Sequence, residues 1–487
     1  MAYLVTHELN NICKRLIDFL PEFCPGSEMY VVGGTVRDIL MGRVVKDVDI
    51  VLGGDPIAVA RAFAGEVRGS FVWLHEGDGI PGNKFSPTAR VVKGTGIVDF
   101  TALRGGCLKD DLLSRDFTLN ALAMPLSALS SDAVGDMIVD VTTGLDDLGS
   151  GTIRMINREN LVEDPLRLLR AYRFSAQLGF RIEPDTLEAI TELRTLIHKA
   201  AAERIWSELK GVLSAESSAG VIGSMIDSRL LFELLPELHA TEAVKQNAHH
   251  NLDVLQHTLA AYQAAETEIN DPQGRGLPFP EGFRQYIAHP PGTLSILKLA
   301  VLLHDIGKPL TRAVGSDTRV TFHDHARVGA EMARDILLRF KASQREVELT
   351  CKLIAHHMRL CHASCTELVG NKRAMVRLLN KIGADIHALI IIALADSQAK
   401  TVSHRDEIIH MAADILGFYS GQYLSRLRAP RLITGYDLID GFGLRPSPEF
   451  SLILEHIHNK SLEGAINSRQ EALSEVRAYL QGKNQRG

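Results

Sequence analysis

The chain has 487 residues, 45% of them apolar and 23% charged, with a formal net charge of −6. That is the composition of an ordinary globular protein, and the length exceeds a single hydrophobic core. It predicts about three or four domains and excludes a disordered or fibrous chain.

No uninterrupted apolar run reaches about 18 residues, and the N-terminus lacks the basic-then-apolar layout of a signal peptide. Neither a membrane span nor secretion is expected, and a cytoplasmic location is. Cys13, Cys24, Cys107, Cys351, Cys361 and Cys365 show no Cys-x-x-Cys spacing, which predicts reduced thiols. Chelation by Cys361 and Cys365 beside His357 and His362 is the minor alternative. The negative net charge means that any RNA contact must come from local basic patches.

In chain order, residues 1 to 150 alternate short β-like runs with helical ones. Met29–Val32, Asp47–Leu52, Ser70–Leu74, Ala89–Val92 and Gly96–Phe100 are strand candidates rich in β-branched or aromatic residues. They predict an α+β head built on a mixed sheet. Beyond Gly151 the sequence turns helical, with apolar spacings of three and four in Glu163–Leu178 and Arg204–Leu213, and Pro184 placed to open a helix. The Pro- and Gly-dense stretch Asp271–Gly292 predicts a long loop. Helical runs return at Gly435–Ile439 and Arg469–Leu480.

The most informative stretch is Gly33-Gly34-Thr35-Val36-Arg37-Asp38, followed by Lys46-Asp47-Val48-Asp49-Ile50. Two acids separated by one residue share a face of a strand, because strand side chains alternate. Carboxylates held that close repel unless cations lie between them, so the pair predicts divalent metal. The glycine pair leaves backbone N–H groups open for phosphate, with Arg37, and alternatively Lys46, aimed at its charge. Asp99, in Ile97-Val98-Asp99-Phe100, is the candidate third acid. The plain alternative is a glycine turn with solvated surface acids.

Two later blocks decide between these readings: Ser114-Arg115-Asp116-Phe117-Thr118-Leu119-Asn120-Ala121 and Glu163-Asp164-Pro165-Leu166-Arg167 through Arg170 and Arg173. With the opening motif they resemble the bacterial tRNA nucleotidyltransferase and poly(A) polymerase family, over roughly residues 28 to 215. The resemblance implies catalytic Asp47, Asp49 and Asp99. Two Mg²⁺ ions would be held by Asp47 and Asp49 for in-line displacement of pyrophosphate. It makes Gly33, Gly34, Arg37, Arg115, Asp116, Asn120, Asp164, Arg167, Arg170 and Arg173 the nucleotide-binding set, and tRNA, CTP and ATP the partners.

The chemistry of Asp164 and Arg167 supports that role. Cytosine and adenine both present an amino donor beside a ring-nitrogen acceptor, which a carboxylate and a guanidinium match. Guanine and uracil reverse the pattern and would leave both groups unpaired. Three apart on one helix, the two side chains are expected to share a face. A helix-terminal acid with a salt-bridged arginine is the alternative.

Downstream, His257, His304-Asp305, His325, His356-His357 and Asp396 follow in the order seen in HD-domain phosphohydrolases. This second resemblance covers about residues 245 to 400. It implies a site for a transition metal such as Ni²⁺, Mn²⁺, Co²⁺ or Fe²⁺, and phosphohydrolase or 2′,3′-cyclic phosphodiesterase activity. His325 is preferred to His323, and His356 to its neighbour His357, with both of the latter kept; His249 and His250 are bystanders. Lys308 is placed to steady a phosphate or to cap a helix.

The expected organisation is a catalytic head (1–150), a helical neck and body for nucleobase selection and RNA binding (151–244), an HD domain (245–400), and a helical tail that binds tRNA (401–487). The expected activity is template-independent addition of C and A to the tRNA 3′ end. Between Asp99 and Arg115 only residues 100–114 intervene, where full CCA-adding members generally carry a longer loop. Addition of CC alone therefore stays open. A poly(A) polymerase is disfavoured by the missing basic Gly-Arg-Arg-Phe-type block. An HD phosphohydrolase with a non-catalytic RNA-binding head is the alternative of another class.

Overall fold

A computed structural model of the chain describes residues 7–75, 87–130, 134–246, 252–316, 320–361 and 365–484. His249, His250 and His362 lie outside the described residues. Two compact units divide it: residues 1–212 with 224–233, and residues 213–223 with 234–487.

The first unit begins with α1 (His7–Phe23) and then builds a mixed sheet from β1 (Met29–Val32), β2 (Asp47–Leu52), β3 (Ser70–His75), β4 (Thr88–Lys93), β5 (Gly96–Ala102), β6 (Leu122–Pro125) and β7 (Val139–Asp140). The spatial order is β3-β4-β5-β2-β1-β6-β7. Only the β2–β5 pairing is parallel; its neighbours are antiparallel. Every sequence-predicted strand is present, with three of them one or two residues longer.

Strand alternation divides the sheet into two faces. Val48, Ile50, Leu52, Ala89, Val91, Val98 and Phe100 join one buried core with Leu16, Leu20 and Phe63. Phe63 comes from α3 (Pro56–Val67), whose N-cap Asp55 accepts from the N–H groups of Ile57 and Ala58. The intervening residues Asp47, Asp49, Arg90 and Asp99 are left for the other face.

After the sheet the unit is mostly helical, with one departure from expectation. The run Glu163–Leu178 is not one helix: a helix Arg158–Glu163 ends at Asp164, which is extended (φ −125°, ψ 91°), and a second runs Leu166–Leu178. Pro165 explains the break, because its ring pushes the preceding residue out of the helical region. Pro184 does open a helix, Pro184–Leu193, behind a Glu183 cap.

Among the described residues, the regular structure of the second unit is helical apart from the short hairpin Arg312–Val314 and Val320–Phe322. Thr293–Leu303 and Ile386–Gln398 are buried along nearly their whole lengths and form its centre. The stretch Lys372–Gln398 has the length and apolarity of a membrane span, but 72% of its most apolar window is buried inside the unit. The predicted loop Asp271–Gly292 contains a helix, Pro280–Ala288, since Pro280 presets the first helical φ and Phe283 is buried as an anchor.

Residues 213–223 belong here through a buried polar knot. Lys298 Nζ donates to Ala215 O (2.6 Å) and Glu266 Oε1 (2.5 Å), and Glu266 accepts from the Ser218 and Ala219 N–H groups at 2.7 and 3.0 Å. At the C-terminal end, Ile433, Leu438, Ile453, Ile457, Ile466, Ala472 and Val476 make a separate small core from the helices Gly435–Phe442, Pro448–Glu463 and Arg469–Asn484 and the segments before and between them. Cys13, Cys24, Cys107, Cys351 and Cys361 are free thiols.

Candidate active sites

In the sheet register Asp49 sits beside Asp99 on the parallel β2–β5 pair, and Arg90 faces Asp99 on the antiparallel β4–β5 pair. Asp47, two residues before Asp49, shares that face. Arg90 grips Asp99 with two bonds, Nε to Oδ1 at 2.7 Å and Nη2 to Oδ2 at 2.8 Å. Burial and repulsion from Asp47 and Asp99 push the Asp49 carboxyl up to about 7, and partial desolvation with Asp99 nearby raises that of the more exposed Asp47. Three acids acted on by two arginines, Arg90 and Arg115, are a donor set still short of cations, which fits hard divalent metal.

The helix α2 (Gly34–Leu40) supports these acids through a residue that sequence reasoning passed over. Thr35 Oγ1 accepts from the Asp49 N–H at 2.9 Å and donates to Asp47 O at 3.2 Å, hooking the first turn of α2 onto the acidic strand. Gly33 has φ 69°, and a Cβ there would lie 2.9 Å from Arg115 Nη1 and 3.6 Å from Asp49 Oδ2. The backbone conformation demands glycine, and a Cβ would also have to displace the Arg115 guanidinium.

Several of the expected nucleotide contacts are occupied within the protein. Arg37 is buried rather than presented: Nη1 donates to Asn120 Oδ1 at 2.8 Å and Nε to Asp38 at 2.9 Å. Asn120 Nδ2 in turn donates to Asp116 Oδ1 (3.1 Å), and Arg170 Nε donates to Asp116 Oδ2 (2.8 Å). Burial alone would raise the Asp116 carboxyl; Arg170 and Arg167 overrule it and hold it well below the usual range. Arg37, Arg170 and Arg173 all place their guanidinium carbons within 5.4 Å of the Phe174 ring centre. Arg115 pairs with Asp111, and Arg173 with Glu208. Lys46 is exposed.

Asp164 and Arg167 flank the Pro165 break instead of sharing one helix. Asp164 Oδ2 accepts from Arg204 at 3.0 Å, while Arg167 Nη1 donates to the carbonyls of Arg115 (3.3 Å) and Asn160 (3.2 Å).

In the second unit His257, His304 and Asp305 converge as one potential ligand group, and Asp305, His325 and His357 as another. Asp305 is common to both: Oδ2 faces His257 and His304 at 3.5 and 3.3 Å, and Oδ1 faces His325 and His357 at 3.5 and 4.0 Å. Asp396 closes the first group, with Oδ1 3.1 Å from His257 Nε2 and 3.9 Å from His304 Nε2.

The backbone sets the tautomers. Nδ1 of His304, His325 and His357 lies 2.7–2.8 Å from the carbonyl three residues earlier, and His257 Nδ1 lies 3.3 Å from Ala399 O. A carbonyl can only accept, so each Nδ1 donates, and each neutral ring turns an Nε2 lone pair inward. His325 Nε2 and His357 Nε2 then face each other at 3.3 Å, an arrangement that calls for a cation between them. His304 Nε2 is buried without a hydrogen-bond partner among the described residues. Burial pushes His357 down to about 3, whereas at His304 the same effect is outweighed by Asp305 and Asp396, and its pKa is raised. The donor set fits a borderline metal of the transition series.

His356 does not join this set: it points away and accepts from Arg359 Nε at 3.0 Å, so His357 is the ligand candidate. The helix Gln344–His356 ends there, and one further residue of rotation turns His357 inward. His323 is exposed, as the preference for His325 anticipated. Lys308 reaches Asp305 Oδ2 at 2.6 Å, and Lys400, unremarked in the sequence, reaches Asp396 Oδ2 at 2.6 Å. Both lysines line a cavity of about 250 Å³ over the cluster, with Gln246, Phe322 and Met358.

Residues 29–154 match the Poly A polymerase head domain, residues 179–242 the probable RNA and SrmB-binding site of polymerase A, and residues 254–400 the HD domain. The chain is 31% identical to an A-adding tRNA nucleotidyltransferase of Deinococcus radiodurans, across 95% of this chain and 96% of that one. It is 30% identical to a CC-adding tRNA nucleotidyltransferase of Synechocystis, across 91% and 92%. A Thermotoga maritima CCA-adding enzyme solved in complex with tRNA has a similar fold, with a TM-score of 0.61 at 21% identity over 98% of this chain and 97% of that one.

The chain belongs to the tRNA nucleotidyltransferase and poly(A) polymerase family, and it carries an HD domain.

Proposed function

We propose that the protein adds cytidine and adenosine from CTP and ATP to the 3′ end of tRNA, and that its HD domain hydrolyses phosphate esters at RNA or nucleotide ends. The observation that carries the first part is the convergence of Asp47, Asp49 and Asp99 on one sheet face. Asp47 and Asp49, with Asp99, would hold Mg²⁺. When bound, the ions neutralise the triphosphate and make the 3′-hydroxyl more acidic. Thr35 keeps the two β2 acids aimed, and Arg115 lies beside Asp49 with positive charge for the phosphates. Asp164 accepts from the exocyclic amino group of C or A, and Arg167 donates to the adjacent ring nitrogen. The network from Arg37 through Asn120 and Asp116 to Arg170 positions this arginine-rich wall. In the second unit His257, His304, Asp305, His325, His357 and Asp396 would hold the metal, which polarises a phosphoryl oxygen when present. Lys308 and Lys400 offset phosphate charge there.

A second reading, addition of CC alone or of A alone, is favoured by the relatives aligned over nine-tenths of the chain. They are named as CC-adding and A-adding enzymes. The readings separate when purified protein is given tRNAs ending before the first C, after both Cs and after the terminal A, with each labelled NTP separately. Incorporation of both C and A supports the first reading. One nucleotide alone supports the second, and none from any NTP refutes both.

A further inference from the structure

Asp99 is the one member of the three-acid cluster whose two oxygens are both engaged by a single basic side chain. Arg90 is directly opposite it in the β4–β5 register, its guanidinium parallel to the carboxylate at 2.7 and 2.8 Å. Its neighbours Ala89 and Val91 are buried on the opposite face, so the strand fixes Arg90 on the acid face and no register but this one serves both. A bidentate guanidinium–carboxylate pair is the strongest pairing available to a carboxylate short of a metal. Arg90 is also about one-third exposed along its side chain, which leaves it room to swing away.

We propose that Arg90 is a positioning residue of the transfer site: it holds Asp99 as an internal counter-ion and competes with divalent metal for that carboxylate. The inference rests on the reading of Asp47, Asp49 and Asp99 as the metal site. Before metal arrives, Arg90 offsets part of the repulsion among three acids and keeps Asp99 beside Asp49. When metal binds, Asp99 is shared or surrendered, and the freed guanidinium stays at the edge of the site where triphosphate charge collects. The competition sets how much metal the site takes up in the absence of nucleotide. It is a device against idle metal loading, relieved once triphosphate offers Arg90 another anion.

The test is direct Mn²⁺ binding to nucleotide-free full-length protein, with Asp305→Ala in every sample to silence the helical centre and circular dichroism to check folding. Arg90→Gln should bind Mn²⁺ about tenfold more tightly than its parent, a typical coupling between two ligands of one group. Arg90→Lys, which keeps the charge but loses the bidentate grip, should fall between them. In an Asp99→Asn background Arg90→Gln should change Mn²⁺ affinity by less than twofold. Unchanged or weaker Mn²⁺ binding by both Arg90 variants overturns the proposal, and so does a gain that persists without Asp99. If Asp47→Asn and Asp49→Asn also leave Mn²⁺ binding unaltered, the fault lies instead with the metal-site reading.

Discussion

At Asp49, burial and two neighbouring acids raise the carboxyl to about 7, against an unfolded value of about 4. The native state thus retains a proton that the unfolded chain gives up. That contribution to stability is complete below about pH 4 and is lost as pH rises through about 7. Metal-free protein should therefore lose thermal stability between pH 5 and 8, and Mg²⁺ should restore it. Asp49→Asn should flatten the pH dependence and stabilise the metal-free protein by on the order of 1 kcal/mol, while abolishing nucleotide incorporation. Melting curves across pH with and without Mg²⁺ measure this; an Asp49→Asn variant as pH-sensitive as wild type contradicts it. The two adjacent histidines make an equally sharp pair. His357→Ala should strip transition metal from purified protein, whereas His356→Ala should leave metal content unchanged, because only the first faces Asp305.

At the scale of elements, the hook between α2 and β2 is the test of how the acids are aimed. Thr35→Val removes both bonds while keeping the shape of the side chain. It should cost about 1–2 kcal/mol of stability and lower kcat far more than it raises KM for CTP. A matched loss in KM alone would mean that Thr35 serves binding and not aim. Five of the seven strands and the acid pair were legible in the sequence because alternation and glycine boundaries are local signals, as Asp47-Val48-Asp49 illustrates, whereas the short β6 and β7 were not read. Arg90 was legible only in principle: it sits in Ala89-Arg90-Val91, and its partner emerges once the Lys93–Gly96 turn fixes the hairpin register. The expected helical partnership of Asp164 and Arg167 failed because apolar spacing ran unbroken through Pro165, whose effect falls on the residue before it. Likewise the preference for His356 over His357 failed, since the end of the helix Gln344–His356 decides which ring turns inward. Arg167→Ala should reduce discrimination among NTPs, measured as kcat/KM ratios, more than it weakens tRNA binding. Retention of wild-type ratios would reduce Arg167 to its bonds with Arg115 and Asn160.

At the scale of the whole molecule, the two sets of acids and histidines belong to separate compact units, each with its own core. Their chemistries are expected to be separable. Asp305→Ala should eliminate metal-dependent hydrolysis of 2′,3′-cyclic nucleotides or phosphomonoesters and spare CTP incorporation; Asp47→Ala should do the reverse. Asp47 and Asp49 are expected to make the head a working nucleotidyltransferase. The most direct measurement is incorporation of labelled CTP and ATP into tRNA lacking its 3′-terminal nucleotides, by wild type, Asp47→Ala and Asp49→Ala at saturating Mg²⁺. Mg²⁺-dependent extension is expected from wild type, and none above background from either variant with native circular dichroism. Substantial extension by both variants, or none by wild type, would contradict it.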